Sequence, residues 1–114
     1  MQSPFTFKHT QPSVMETDKK YPAIFLIHGM GSNEDDLPQL VENFKGKCHI
    51  FSLQGPIKQS PGFAFYTIEE AGKPDRHIFD KIVVYLQQFI LEAIEEYQLD
   101  LNNIYVLGFS KVPF

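Results

Sequence analysis

An α/β fold, an open and mostly parallel sheet with helices on both faces, is predicted by three features of this sequence. Residues 23–27 (AIFLI) are apolar on both faces, as a central strand of a parallel sheet has to be. Residues 75–97 repeat apolar side chains at three- and four-residue spacing, the stripe of a long amphipathic helix. Shorter β-type segments alternate with helical ones along the rest of the chain, the order that crossover connections produce. At 114 residues the chain holds a single domain, long enough to bury a core.

Taken in order, "FTFKHT" reads as a short edge strand and "TQPSVMETDKK" as the polar turn after it. The apolar run 23–27 is the central strand, and it breaks at His28-Gly29. Ser32 or Asn33 is placed to cap a helix through "EDDLPQLVENF", whose acidic residues suit the positive end of a helix dipole, and Gly46 ends it. "CHIFSLQ" is a second strand closed by Gly55-Pro56, and "PGFAFYTI" a further extended segment. A loop with Gly72 and Pro74 precedes the long helix. There Ile78, Phe79, Ile82, Val83, Leu86, Phe89, Ile90, Ala93, Ile94 and Tyr97 form the stripe. "LDLNN" reads as a turn, and 104–107 as the last strand, ending at Gly108.

Composition narrows the function. The net charge is −4 and the ten Lys and Arg are scattered, so no basic field invites nucleic acid or an anionic membrane. The first twenty residues lack the apolar core of a signal peptide, and no stretch reaches the roughly 18 apolar residues of a membrane span. A lone cysteine, Cys48, has no internal disulfide partner, which suits a reducing compartment. The expectation is a soluble, cytoplasmic protein that needs no cofactor.

In open parallel sheets function gathers at the carboxyl ends of the strands. Two segments end there: "HGMG" after Ile27 and "GFS" after Leu107. A serine at a sharp strand-to-helix turn is held out of the sheet toward substrate, and Ser110 occupies such a place, with Gly108 two residues before it. A flexible backbone after a central strand lets a main-chain N–H face a developing oxyanion, and Met30, between Gly29 and Gly31, is placed to donate it. The plainer reading of the same loop is a glycine-rich connection in which His28 is packed or hydrogen-bonded.

"FLIHGMGSNEDDLPQL", "FSLQGP" and "NNIYVLGFS", in this order and spacing, resemble the phospholipase/carboxylesterase family of α/β-hydrolases, which includes bacterial carboxylesterases and acyl-protein thioesterases. The resemblance covers roughly residues 21–110. It implies an α/β-hydrolase fold and a serine hydrolase acting on small acyl esters through an acyl-serine. Ser110 matches the nucleophile, Met30 the first oxyanion donor and Lys111 the second, with His28, Gly29, Gly31 and Gly108 supporting the two loops. Where the family continues Gly-Phe-Ser-Gln-Gly, this chain reads "GFSKVPF", and Pro113 disfavours helix at Val112. Loss of one base from codons such as AGT CAA GGT GCC TTT yields Ser-Lys-Val-Pro and a final TT, which a following pyrimidine completes as Phe. The expectation is therefore a truncated α/β-hydrolase fold from a frameshifted or shortened reading frame, with no Asp or His after Ser110 to complete a triad. Such a loss costs on the order of a million-fold in turnover, so the chain alone is expected to be nearly inert.

The remaining features have plainer readings. His9, His49 and His77 carry no motif and are expected to be surface or structural. The acidic run "SNEDD" fits a helix start better than a metal site, and "FAFY" suits packing better than an acyl pocket. Cys48 and His49 point to opposite faces of a strand and cannot act as a pair. A nucleotide-binding loop fails at its third glycine position, where Glu34 stands. The alternative to an enzyme is an inactive remnant whose last strand, an unpaired apolar edge, invites homodimer formation.

Overall fold

The computed structural model describes residues 5–35, 37–67 and 75–108. A four-stranded sheet runs in the order β1-β3-β2-β6, formed by β1 (Thr6–Thr10), β2 (Tyr21–Ile27), β3 (His49–Gln54) and β6 (Leu99–Gly108). β3 and β6 both run parallel to β2, while the edge strand β1 lies antiparallel to β3. The central place of β2 follows from its composition, since Ala23, Phe25 and Leu26 are all nearly fully buried. β4 (Ile57–Gln59) and β5 (Gly62–Ala64) form a separate two-stranded hairpin turned by a cis Ser60–Pro61 peptide.

The two faces of β2 feed two cores. Ala23 and Phe25 join Phe51, Leu53 and Phe5 beneath the helix α1 (Arg76–Tyr97), whose Ile82, Phe89 and Ala93 are buried. Phe89 is the hub, meeting the rings of Phe5, Phe7, Phe25 and Phe51 edge-on at 5.0–6.1 Å between centroids. Asp75 caps α1 by accepting from His77 N and Ile78 N, and Gln98 closes it in the left-handed conformation. Val83 lies on the outer flank of the apolar stripe, 36% exposed. On the opposite face Ile24, Leu26, Ile50 and Cys48 pack with Leu37 and Val41.

Two local readings of the sequence require correction. The segment expected to form a helix from Ser32 or Asn33 is a 3₁₀ stretch over Pro38–Phe44, with Leu37 at its start and no side-chain cap. Ser32 instead bridges to Phe63 in the hairpin, and the Asn33 side chain accepts from Asp35 N in a local turn. Both candidate caps are thus committed to loop contacts before Pro38 opens the helical stretch. One face of the sheet therefore carries an α-helix and the other a short 3₁₀ stretch. "LDLNN" is a bulge inside β6 rather than a turn before it: Tyr21 pairs with Leu99, and Ala23 next with Ile104. Asp100 holds this bulge by accepting from Asn102 N and Asn103 Nδ2.

Candidate functional site

The two glycine-bearing segments start from neighbouring strands at one edge of the sheet. Ile27 is the register partner of Gly108, so β2 and β6 end side by side. Ser110 and Lys111 lie outside the described residues. An added Cβ at Gly108 would sit 3.8 Å from Ile27, an ordinary contact, so the described neighbours do not require glycine there. The loop Gly29–Ser32 is described in full.

That loop is pinned from three directions. Gly31 N donates to Phe63 O at 2.8 Å, and Phe63 N donates to Ser32 O at 2.7 Å, which ties the loop to the β4–β5 hairpin. Ser32 N donates to Gly29 O at 3.1 Å inside the loop. His28, 3% exposed, accepts from Gly55 N through Nε2 at 2.8 Å and faces Gly29 O through Nδ1 at 2.8 Å. Gly31 takes φ +83°, the left-handed region that glycine enters without penalty. Of the amides of Met30, Gly31 and Ser32, only that of Met30 has no hydrogen-bond acceptor among the described residues.

Two glycines missed as loop determinants make this fit possible. A Cβ on Gly62 would stand 2.7 Å from Gly31 O, and one on Gly55 would stand 2.9 Å from Ala64 N, both closer than real contacts allow. Gly55 lies in the family motif "FSLQGP" and Gly62 in "SPGF", and each position by itself reads equally well as turn punctuation.

The other titratable residues sit elsewhere. His9 Nε2 and His49 Nδ1 meet at 2.9 Å beside Phe51 and Tyr97, at the end of the sheet where β3 begins. Burial and the neighbouring His49 push His9 down to about 4, and burial lowers His49 as well. His77 is exposed in the first turn of α1. Glu34 accepts from Gln54 Nε2 at 2.6 Å, and Asp35 pairs with Lys8. Ala64 and Phe65 of "FAFY" are buried, with Phe65 packed on Phe5 at 5.8 Å, while Phe63 and Tyr66 are half-buried. Burial raises the Cys48 thiol. No helix among the described residues is long and apolar enough to cross a membrane.

A mostly parallel sheet with a pinned glycine loop after its central strand and a second strand ending beside it defines the α/β-hydrolase class of fold. Two bacterial carboxylesterases are among its matches in solved structures, in keeping with the family resemblance read from the motifs. The chain superposes on the Bacillus cereus carboxylesterase with a TM-score of 0.77 at 27% identity, covering 95% of this chain and 49% of that one. The carboxylesterase from Mesorhizobium loti gives 0.78 at 19% identity, with 96% and 51% covered. YahD, solved with malic acid, gives 0.74 at 18% identity, with 95% and 52% covered. The last two similarities speak for the fold alone. The chain spans about half the length of these structures. No protein-family model and no curated protein matches the sequence.

Proposed function

We propose that this chain carries the nucleophile and oxyanion-binding part of a serine carboxylic ester hydrolase. In this reading Ser110 Oγ attacks the acyl carbon of a small ester, and the N–H groups of Met30 and Lys111 receive the oxyanion. The alcohol then leaves, and water releases the acid from the acyl-serine. The observation that carries the reading is the Met30 amide, which has no acceptor among the described residues, in a loop that departs from the sheet beside the end of β6. The similarity to the Bacillus cereus carboxylesterase supports the same chemistry. His28 is not the base, because its Nε2 accepts from Gly55 N and its Nδ1 faces Gly29 O. With His9 and His49 paired at the far end of β3, activation of Ser110 needs a base from outside the described residues, and the chain alone is slow. The test is acylation by p-nitrophenyl acetate. A burst abolished by Ser110→Ala supports the proposal, whereas release of p-nitrophenol identical in the variant refutes it.

A second reading, a catalytically inactive chain that self-associates, is favoured by β6. Leu101, Tyr105 and Val106 are 67%, 56% and 55% exposed on a strand that pairs only with β2 among the described residues. Beside it an apolar groove of about 630 Å³ is lined by Pro22, Ile24, Val41, Phe44 and Tyr105. A second copy pairing along this edge would cover both. Dimerisation in sedimentation runs, together with silence toward the ester, would favour this reading over the first.

A further inference from the structure

The hydrogen bonds around His28 specify its tautomer. Gly55 N is a donor only, so the Nε2 that faces it at 2.8 Å must offer its lone pair. The proton of the neutral ring then resides on Nδ1, which donates to Gly29 O at 2.8 Å. That carbonyl also accepts from Ser32 N at 3.1 Å. In a planar trans peptide the carbonyl and the following N–H point in opposite directions. Two donors holding Gly29 O inward therefore turn Met30 N–H out of the loop. The hairpin acts from the other side: by accepting from Gly31 N, Phe63 O removes the adjacent amide from competition.

We infer that His28 is a positioning residue, coupling the connection after β3 to the orientation of the Gly29–Met30 peptide and so selecting Met30 N–H as the amide the loop presents. The catalytic meaning of this rests on the ester-hydrolase reading, but the orientation itself does not. His28 Nε2 senses whether Gly55 is in place, and Nδ1–H transmits it to Gly29 O. Separation of the β3–β4 connection from the loop would free Nε2, allow the ring to switch tautomer, and release the peptide to rotate.

The experiment is ¹⁵N NMR of the 114-residue chain. In the unsubstituted protein the His28 ring is expected to carry its proton on Nδ1, with Nε2 showing the shift of an acceptor; a proton on Nε2 overturns the inference. His28→Asn keeps a donor near the Nδ1 position and loses the Nε2 acceptor, whereas His28→Gln reaches toward Gly55 and loses the Nδ1 donor. Met30 N–H should hold its shift in the first variant and move in the second. Gly55 N–H should exchange about tenfold faster in the first, the factor expected for one lost hydrogen bond. An unmoved Met30 signal in both variants, or unaltered Gly55 exchange in His28→Asn, also overturns it. Should His28→Gln fail to fold, the ring tautomer and His28→Asn still decide. If p-nitrophenyl acetate reports no Ser110-dependent acylation while the tautomer is as stated, the hydrolase reading fails and the positioning role stands. If acylation is present, His28→Gln should lower its rate about 100-fold with KM little changed, the cost of a catalytic group misplaced by about 1 Å.

Discussion

Replacing Gly62 by alanine tests the contact between the hairpin and the glycine loop. The added Cβ would collide with Ser32 O and lie 2.7 Å from Gly31 O and 2.9 Å from Ser32 C, all backbone atoms that cannot rotate aside. Restoring a separation of about 3.4 Å from Gly31 O alone requires the hairpin to retreat by roughly 0.7 Å, and clearing Ser32 O requires more. The Phe63 N to Ser32 O and Gly31 N to Phe63 O bonds, now 2.7 and 2.8 Å, would both stretch to the limit of hydrogen bonding. Two weakened bonds at about 1 kcal/mol each, with about 1–3 kcal/mol for overpacking, give a loss of about 3–5 kcal/mol. That is a large share of the roughly 5–15 kcal/mol that holds a domain folded. Urea unfolding followed by far-UV circular dichroism measures it, with amide exchange at Gly31 as the local readout. Gly108→Ala, whose new Cβ meets only ordinary contacts with the described residues, should change stability by less than about 1 kcal/mol. A Gly62→Ala loss below about 0.5 kcal/mol, with Gly31 exchange unaltered, would show that the hairpin does not brace the loop.

Two further outcomes concern the core. Phe89→Ala removes the ring at the centre of four aromatic contacts and should cost about 3–5 kcal/mol in the same unfolding measurement; a loss under about 1 kcal/mol would mean that α1 does not anchor the sheet. The His9–His49 pair makes stability depend on pH. Both rings bind protons more weakly in the folded chain than in the unfolded one, where the ordinary value is 6.5. The unfolded state is then the better proton acceptor, so the contribution is full above about 6.5 and is lost as pH falls toward about 4, where His9 titrates in the fold. His9→Gln should flatten this slope in unfolding measured across pH 4–7, and an unchanged slope would refute the assignment.

The secure elements in the sequence were those with a strong period. α1 announces itself through an apolar stripe, and β2 through a run apolar on both faces, whereas the Asp75 cap of α1 emerged only in the structure. The 3₁₀ stretch escaped because its expected caps, Ser32 and Asn33, are claimed by Phe63 and Asp35, neither of which reveals that in a linear pattern. The bulge in β6 escaped for a related reason. "LDLNN" has turn chemistry, and only pairing with β2 across 78 positions between Tyr21 and Leu99 draws it into the strand.

For the site, local sequence determined which backbone can bend: the glycines around Met30, the break after Ile27 and the family motifs that contain them are legible one residue at a time. Which amide that bend leaves free was decided in three dimensions. Gly55, Phe63 and Gly62 lie 27, 32 and 31 positions after His28, Gly31 and Gly31 respectively, and their carbonyls, amides and missing side chains become constraints only once the hairpin packs on the loop. Propensity and periodicity act between near neighbours, whereas hydrogen-bond partners and steric limits depend on distance in space, and that is set by the fold.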